Sequence, residues 1–131
     1  MAGASSGQIV ELDSNFLVAA FHAAGDQREL LRAWVRAGAR IQTSAIAWSE
    51  YLCGPLEPAL ATFARKLLGA IEPFIEQDAE LASELFNRTG RRPRSHVDCM
   101  IAAHAIRRDA VLATLNVRDF RRFEKFALKL I

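Results

Sequence analysis

Short apolar runs of strand length alternate along this chain with longer stretches in which apolar residues return every three or four positions. The first spacing belongs to strands and the second to amphipathic helices. Residues 8–12 predict a first strand, followed by a helix over 16–21 that Gly25 closes. Residues 26–37, with Leu30, Leu31, Trp34 and Val35 on one face, predict a second helix stopped by Gly38. Residues 40–43 read as a second strand, and from Ser44 a helix runs through Ile46, Ala47, Trp48 and Glu50 to the Gly54-Pro55 pair. Residues 59–71 are helical again, with Leu60, Phe63, Leu67 and Leu68 facing inward. Glu72-Pro73 breaks that pattern, residues 74–76 form a third, weakly patterned strand, and 78–88 a helix carrying Leu81, Leu85 and Phe86.

The stretch that organises the rest is 95–120. Val97, Met100, Ile101, Ala105 and Ile106 give its first part the recurrence of a helix with a wide buried face. At Arg108-Asp109 it turns into residues 110–114, an apolar run of buried-strand character. A helical turn at 119–123 and a final edge strand over 127–131 complete the chain. Strands alternating with helices predict a three-layer α/β domain with a mainly parallel sheet of about five strands.

Composition narrows the class without naming a function. A length of 131 residues suits one domain, and 51% hydrophobic with 24% charged residues excludes disorder. No apolar stretch reaches the ~18 residues that cross a bilayer. The opening eight residues lack the basic and apolar regions of a signal peptide and read as a flexible extension ahead of a single domain over 9–131. The expectation is a soluble, cytoplasmic protein with no membrane association. Cys53 and Cys99 lack metal or redox spacing and read as core thiols. A net charge of +2 says little about partners, but its distribution says more. Arg88, Arg91, Arg92 and Arg94 precede the central helix, and Arg107, Arg108, Arg118, Arg121 and Arg122 follow it. Singly, such residues are solvated helix ends and loops.

Acidic side chains fall where an open parallel sheet binds its ligands, outside the C-terminal strand ends at the point where strand order reverses. Asp13 follows the first strand, and Asn116 and Asp119 follow the strand at 110–114. Glu50 and Asp98 sit at comparable places in their own units. Gathered carboxylates raise one another's pKa unless a cation neutralises them, and hard oxygen ligands suit Mg²⁺ or Mn²⁺. Each residue also has a quieter role. Asp13 can cap the helix after it, Ser95-x-x-Asp98 and Asn116-x-x-Asp119 have the spacing of capping boxes, and Glu50 can face solvent. His22, His96 and His104 show no ligand spacing; His104 reads as a packed histidine and His96 as an exposed one at a helix start.

Taken together, LDSN at 12–15, TSAIAWSE at 43–50, HVDCMIAAHA at 96–105 and LATLNVRDF at 112–120 resemble the PIN domain, and within it the VapC-like toxins of bacterial toxin-antitoxin pairs. The resemblance runs from Ile9 to the C-terminus. It implies an endoribonuclease dependent on Mg²⁺ or Mn²⁺, with Asp13, Glu50, Asp98 and Asp119 as catalytic and metal-holding acids and Ser14, Thr114 and Asn116 as polar supports. It also implies a cognate antitoxin and a homodimer. Arg91, Arg92, Arg94, Arg118, Arg121 and Arg122 then border the acidic pocket as candidate RNA-binding residues. Two other readings compete: a PIN-like fold without catalysis that serves as an RNA-binding or protein-interaction module, and a receiver domain. All four acids being present favours the enzyme, and the lack of a late Lys near a strand end disfavours the receiver.

Overall fold

The structure, a computed structural model, describes residues 3–22, 25–54 and 57–131. Met1, Ala2 and the Pro55-Leu56 step at the expected helix stop lie outside them. Among the described residues five strands, β1 (Ile9–Leu12), β2 (Arg40–Ser44), β3 (Ala70–Glu72), β4 (Val111–Ala113) and β5 (Lys129–Leu130), form one sheet in the order β3-β2-β1-β4-β5. Every pairing is parallel, with Val10 opposite Ile41 on one side and Val111 on the other. The chain runs outward from β1 to β3, then crosses back to lay β4 against the free side of β1. Strand order therefore reverses between β1 and β4, the arrangement that opens a crevice at their C-terminal ends.

Alternation along the strands divides the interior in two. Val10, Leu12, Ile41, Val111 and Ala113 pack on one face with Phe16, Leu17, Phe21, Leu31 and Trp34 from α1 (Ser14–His22) and α2 (Asp26–Arg36). Leu112 faces the opposite way, onto Leu85 of α5 (Glu76–Arg88), Cys99 and Ile101 of α6 (His96–Arg107), and Phe120 and Phe123. The short α3 (Ala45–Leu52) contributes to both, Tyr51 to the first and Ala47 to the second. Ser44 starts α3 as an N-cap, its Oγ accepting from the Ala47 N–H at 3.1 Å.

On the second face the residues that alternate with Val10 and Ile41 are polar. Glu11, fully buried, accepts from Gln42 Nε2 at 2.8 Å and lies 2.7 Å from His104 Nδ1. Nearby, Asp78 of α5 is buried and paired with Arg107 at the end of α6, and its Oδ2 also accepts from the Ile75 N–H at 2.9 Å. His104 is thus the packed histidine that its position predicts, while His96 is exposed against the Phe86 ring.

Several elements depart from the sequence reading. The third strand is Ala70–Glu72, and residues 74–75 lead into α5 instead of pairing. The preceding helix, α4 (Pro58–Leu67), stops short of it because Gly69 passes against β2: its N–H bonds Ile41 O at 2.7 Å, and a Cβ there would sit 2.9 Å from that oxygen. Phe63 and Leu67 are about half exposed instead of inward, Val35 on α2 is exposed to a similar degree, and Cys53, expected in the core, is exposed, with Val97 partly so. The turn after β4 is α7 (Val117–Phe120) followed by a 3-10 helix at Arg121–Phe126, and β5 occupies only two of the five expected positions. Residues 5–8 form a turn, Gly7 N–H bonding Gly38 O at 3.0 Å.

Candidate active site

Asp13 leaves β1 at the reversal point, and its own N–H bonds Ala113 O of β4 at 2.9 Å while its carbonyl receives the first helical bond of α1 from Leu17. The side chain is 4% exposed. Its Oδ1 accepts from the Ser14 N–H at 2.8 Å and its Oδ2 from Thr114 Oγ1 at 2.8 Å. Burial pushes this carboxyl above the usual carboxylate range, the Thr114 and Ser14 bonds pull it back in part, and the Glu11 charge adds to the rise. Thr114 in turn accepts from the Asn116 N–H at 3.0 Å, so one hydroxyl ties the end of β4 to both the acid and the following loop.

Glu50, on the last turn of α3, is exposed but directed at the same place: its Oε1 accepts from Ser14 Oγ at 3.2 Å. Partial burial and then the Asp13 charge raise its pKa, with Asp98 contributing further. Asp98, half-buried on the first turn of α6, is raised by burial and then by Asp13; Arg122 and Arg92 oppose the shift and Asp119 adds to it. Asp119 is half-buried on α7 and accepts from Asn116 Nδ2 at 2.9 Å. Electrostatics therefore couples Asp13, Glu50, Asp98 and Asp119 across four elements. Among the described residues, no three His, Cys, Asp or Glu side chains stand in a ready-made ligand set.

The capping boxes expected at Ser95 and Asn116 do not form, whereas Asp13 does take up a free N–H of α1, that of Ser14. Ser95 makes no side-chain cap; its Oγ donates to Arg92 O at 2.7 Å. Asn116 spends its amide on the Asp119 carboxylate instead of capping α7 with its oxygen. Asp98 is thereby left without a local backbone partner.

The arginines separate into groups. Arg91, Arg92, Arg94, Arg118 and Arg121 are exposed, and Arg122 is half-buried. Arg91 is engaged with Asn87 Oδ1 at 2.6 Å and the Phe86 ring, and Arg121 faces Glu124 at 3.6 Å. Only Arg92 and Arg122 contribute to the Asp98 shift. Asn15 is a functional neighbour that the sequence reading does not single out. Its Oδ1 accepts from the Leu115 N–H at 3.0 Å and lies 3.4 Å from Thr114 Oγ1, holding the loop that carries Asn116 against α1. The signal for it is its place directly after Asp13-Ser14.

The family model for the PIN domain matches residues 10–126, a span that contains all four acids, and the chain belongs to that family. Its fold is that of toxin-antitoxin structures. It is similar to VapBC2 from Rickettsia felis bound to a DNA fragment from their promoter, at 24% identity over 95% of this chain and 98% of that one with a TM-score of 0.77. It is similar to VapBC-1 from nontypeable Haemophilus influenzae, at 23% identity, 95% and 97% coverage and a TM-score of 0.72. It also resembles Mycobacterium tuberculosis VapC20, a sarcin-ricin loop cleaving toxin, at 22% identity, 77% and 84% coverage and a TM-score of 0.56. No curated protein matches the sequence.

Proposed function

We propose that this chain is a divalent-metal-dependent endoribonuclease toxin, held inactive by a cognate antitoxin. The observation that carries the reading is the gathering of Asp13, Glu50 and Asp98, three carboxylates raised by burial at the strand reversal, with the Asp13 charge raising the other two further. Such a set is stabilised by a cation, and its all-oxygen donors fit Mg²⁺ or Mn²⁺. Asp13, fixed by Thr114 and Ser14, supplies the rigid ligand. Asp98 joins it, and closing the set takes rotation of the exposed Glu50 and of Asp119, now turned to Asn116. When bound, the ion supplies the charge stabilisation and water activation that phosphodiester hydrolysis needs. The chain's own contribution is to hold these oxygens and to lay the RNA backbone across the exposed Arg92, Arg94 and Arg118, which precede Asp98 and Asp119 in the chain.

For the antitoxin the supporting feature is a groove between α2 and α4 with a volume of about 440 Å³, lined by Phe21, Leu31, Val35, Phe63 and Leu67 and bordered by Arg32 and Arg36. An apolar groove in which Val35, Phe63 and Leu67 are about half exposed, with a basic rim, suits an acidic amphipathic segment. A homodimer belongs to the same proposal, and light scattering of the purified chain, alone and with its antitoxin, reports it. Induced expression tests the whole reading: growth arrest with new RNA 5′ ends mapped by sequencing is expected, both reversed by the antitoxin and absent in Asp98→Asn. Arrest that persists in Asp98→Asn refutes it.

A further inference from the structure

On the face of the sheet where Leu112, Ile101 and Phe120 meet, one buried carboxylate oxygen gathers two donors. Glu11 Oε1 accepts from Gln42 Nε2 at 2.8 Å, and His104 Nδ1 stands 2.7 Å from the same oxygen. A carboxylate only accepts, so the ring nitrogen is the donor. Gln42 turns its amide oxygen to Arg108 Nη2 at 3.5 Å, which leaves its donor end facing Glu11. All three side chains are buried, and Glu11 Oε2 and His104 Nε2 have no partner among the described residues. Such an incompletely paired polar group destabilises a core relative to apolar side chains of similar volume. What it adds is direction: apolar packing of a helix on a sheet is non-directional, and a buried hydrogen bond is not.

Each of the three residues belongs to a unit that carries one acid of the site. Glu11 lies on β1 two residues before Asp13, and His104 lies on α6 six residues after Asp98. Gln42 lies on β2 two residues before Ser44, the N-cap of the helix that carries Glu50. Because α6 turns directly into β4, which is parallel to β1, it runs against β1 and begins at the end of the sheet where Asp13 stands. From that end Glu11 is ~7 Å down the strand and His104 ~9 Å down the helix. The two offsets nearly match, so the side chains meet across the layer. A slip of α6 along the sheet displaces Asp98 from Asp13 and stretches this bond by the same distance.

We infer that Glu11, His104 and Gln42 are positioning residues of the acidic site, one buried oxygen setting the height of α6 and the start of α3 against β1. The separation of Asp98 and Glu50 from Asp13 follows from it, and each of the three acts through the acid of its own unit. The effect on ion binding rests on the metal-site reading; the tie between α6 and β1 does not.

Two variants of equal charge test this in the full chain. Glu11→Gln keeps an acceptor oxygen for both donors, whereas Glu11→Leu combined with His104→Leu fills the space with apolar side chains. With Mn²⁺ alone as probe, calorimetry is expected to show the glutamine variant binding about tenfold more tightly than the leucine pair. Equal affinity in the two folded variants overturns the inference, since the bond then supports the fold alone. Gln42→Leu keeps every charge and one of the two donors, and serves if the leucine pair fails to fold. It is expected to bind Mn²⁺ about threefold more weakly than wild type, and unchanged binding overturns the inference. In EDTA, amide hydrogen exchange of α6, taken relative to that of β4 so that global stability cancels, is expected to be about tenfold faster in the leucine pair than in the glutamine variant. Absence of Mn²⁺ binding by wild type overturns the metal-site reading, and the exchange comparison then decides the tie by itself: equal relative rates overturn it.

Discussion

Replacing Asp13 by Asn separates the stability of this site from its chemistry, with opposite signs. Asn retains an oxygen for the Ser14 N–H, and its amide can donate to Thr114 Oγ1, which now donates elsewhere, so little hydrogen bonding is lost. What disappears is a buried charge facing Glu11, Glu50 and Asp98. In metal-free protein the folded-state pKa of Asp13 lies above the value of 3.8 that it has when unperturbed. The folded state therefore holds the proton to higher pH, and stability falls as pH rises from about 4 through the raised pKa, then levels off. Each pKa unit corresponds to ~1.4 kcal/mol. For a chain of this length that is a midpoint change of about 5 °C. Asp13→Asn is expected to melt higher than wild type in EDTA at pH 7, with the gap closing towards pH 4. With Mn²⁺ at a hundred times its Kd, wild type gains ~2.7 kcal/mol, about 10 °C, and the variant gains almost none. Calorimetric scans at pH 4, 5.5 and 7 with and without Mn²⁺ read all of this. A variant that melts lower than wild type in EDTA at pH 7, or that keeps the full Mn²⁺ response, refutes the reasoning.

Thr114→Val removes the donor to Asp13 and the acceptor of the Asn116 N–H; a loss of about 1–2 kcal/mol in urea unfolding, with weaker Mn²⁺ binding, is expected. His104→Leu leaves the buried Glu11 without its closest partner and is expected to cost ~3–5 kcal/mol, of which Glu11→Leu in the same chain restores at least half; additive losses in urea unfolding contradict the pairing. Replacing Arg92 and Arg94 by Ala is expected to weaken RNA binding and to flatten its logarithmic salt dependence by about 0.7 for each phosphate that is no longer neutralised. A salt series on an Asp98→Asn background, where cleavage does not interfere, measures that slope.

The parts of the fold legible in the sequence are those where local pattern and tertiary environment agree. β1 and β4 are central in the sheet, and their mainly apolar runs follow from burial on both sides. β3 lies four residues ahead of its expected place because Leu67, Leu68 and Ile71 continue a helical spacing, and what ends that helix is the approach of Gly69 to Ile41, a meeting of segments far apart in sequence. Phe63 and Leu67 read as core for the same reason: spacing reports an apolar face and not what covers it. In the site, Asp13, Asp98 and Asp119 follow a strand end or open a helix, positions that topology dictates, whereas Glu50 lies on the last turn of α3 and only the fold directs it at Ser14. Arg122 reads as one of several basic residues because its burial depends on α7 and the 3-10 helix folding its head back against Asp119 and Phe123. The Glu11–His104 pair joins residues 93 positions apart and leaves no local trace.

The most direct test of the central claim is cleavage of RNA by the purified chain across a Mn²⁺ and Mg²⁺ titration, followed by mapping of the ends produced. The account predicts cuts at defined positions that appear with the ion, vanish in EDTA, return when the ion is restored, and are absent from Asp13→Asn and Asp98→Asn preparations shown to be folded. Cleavage that continues undiminished in EDTA, or in either folded variant with the ion present, contradicts it.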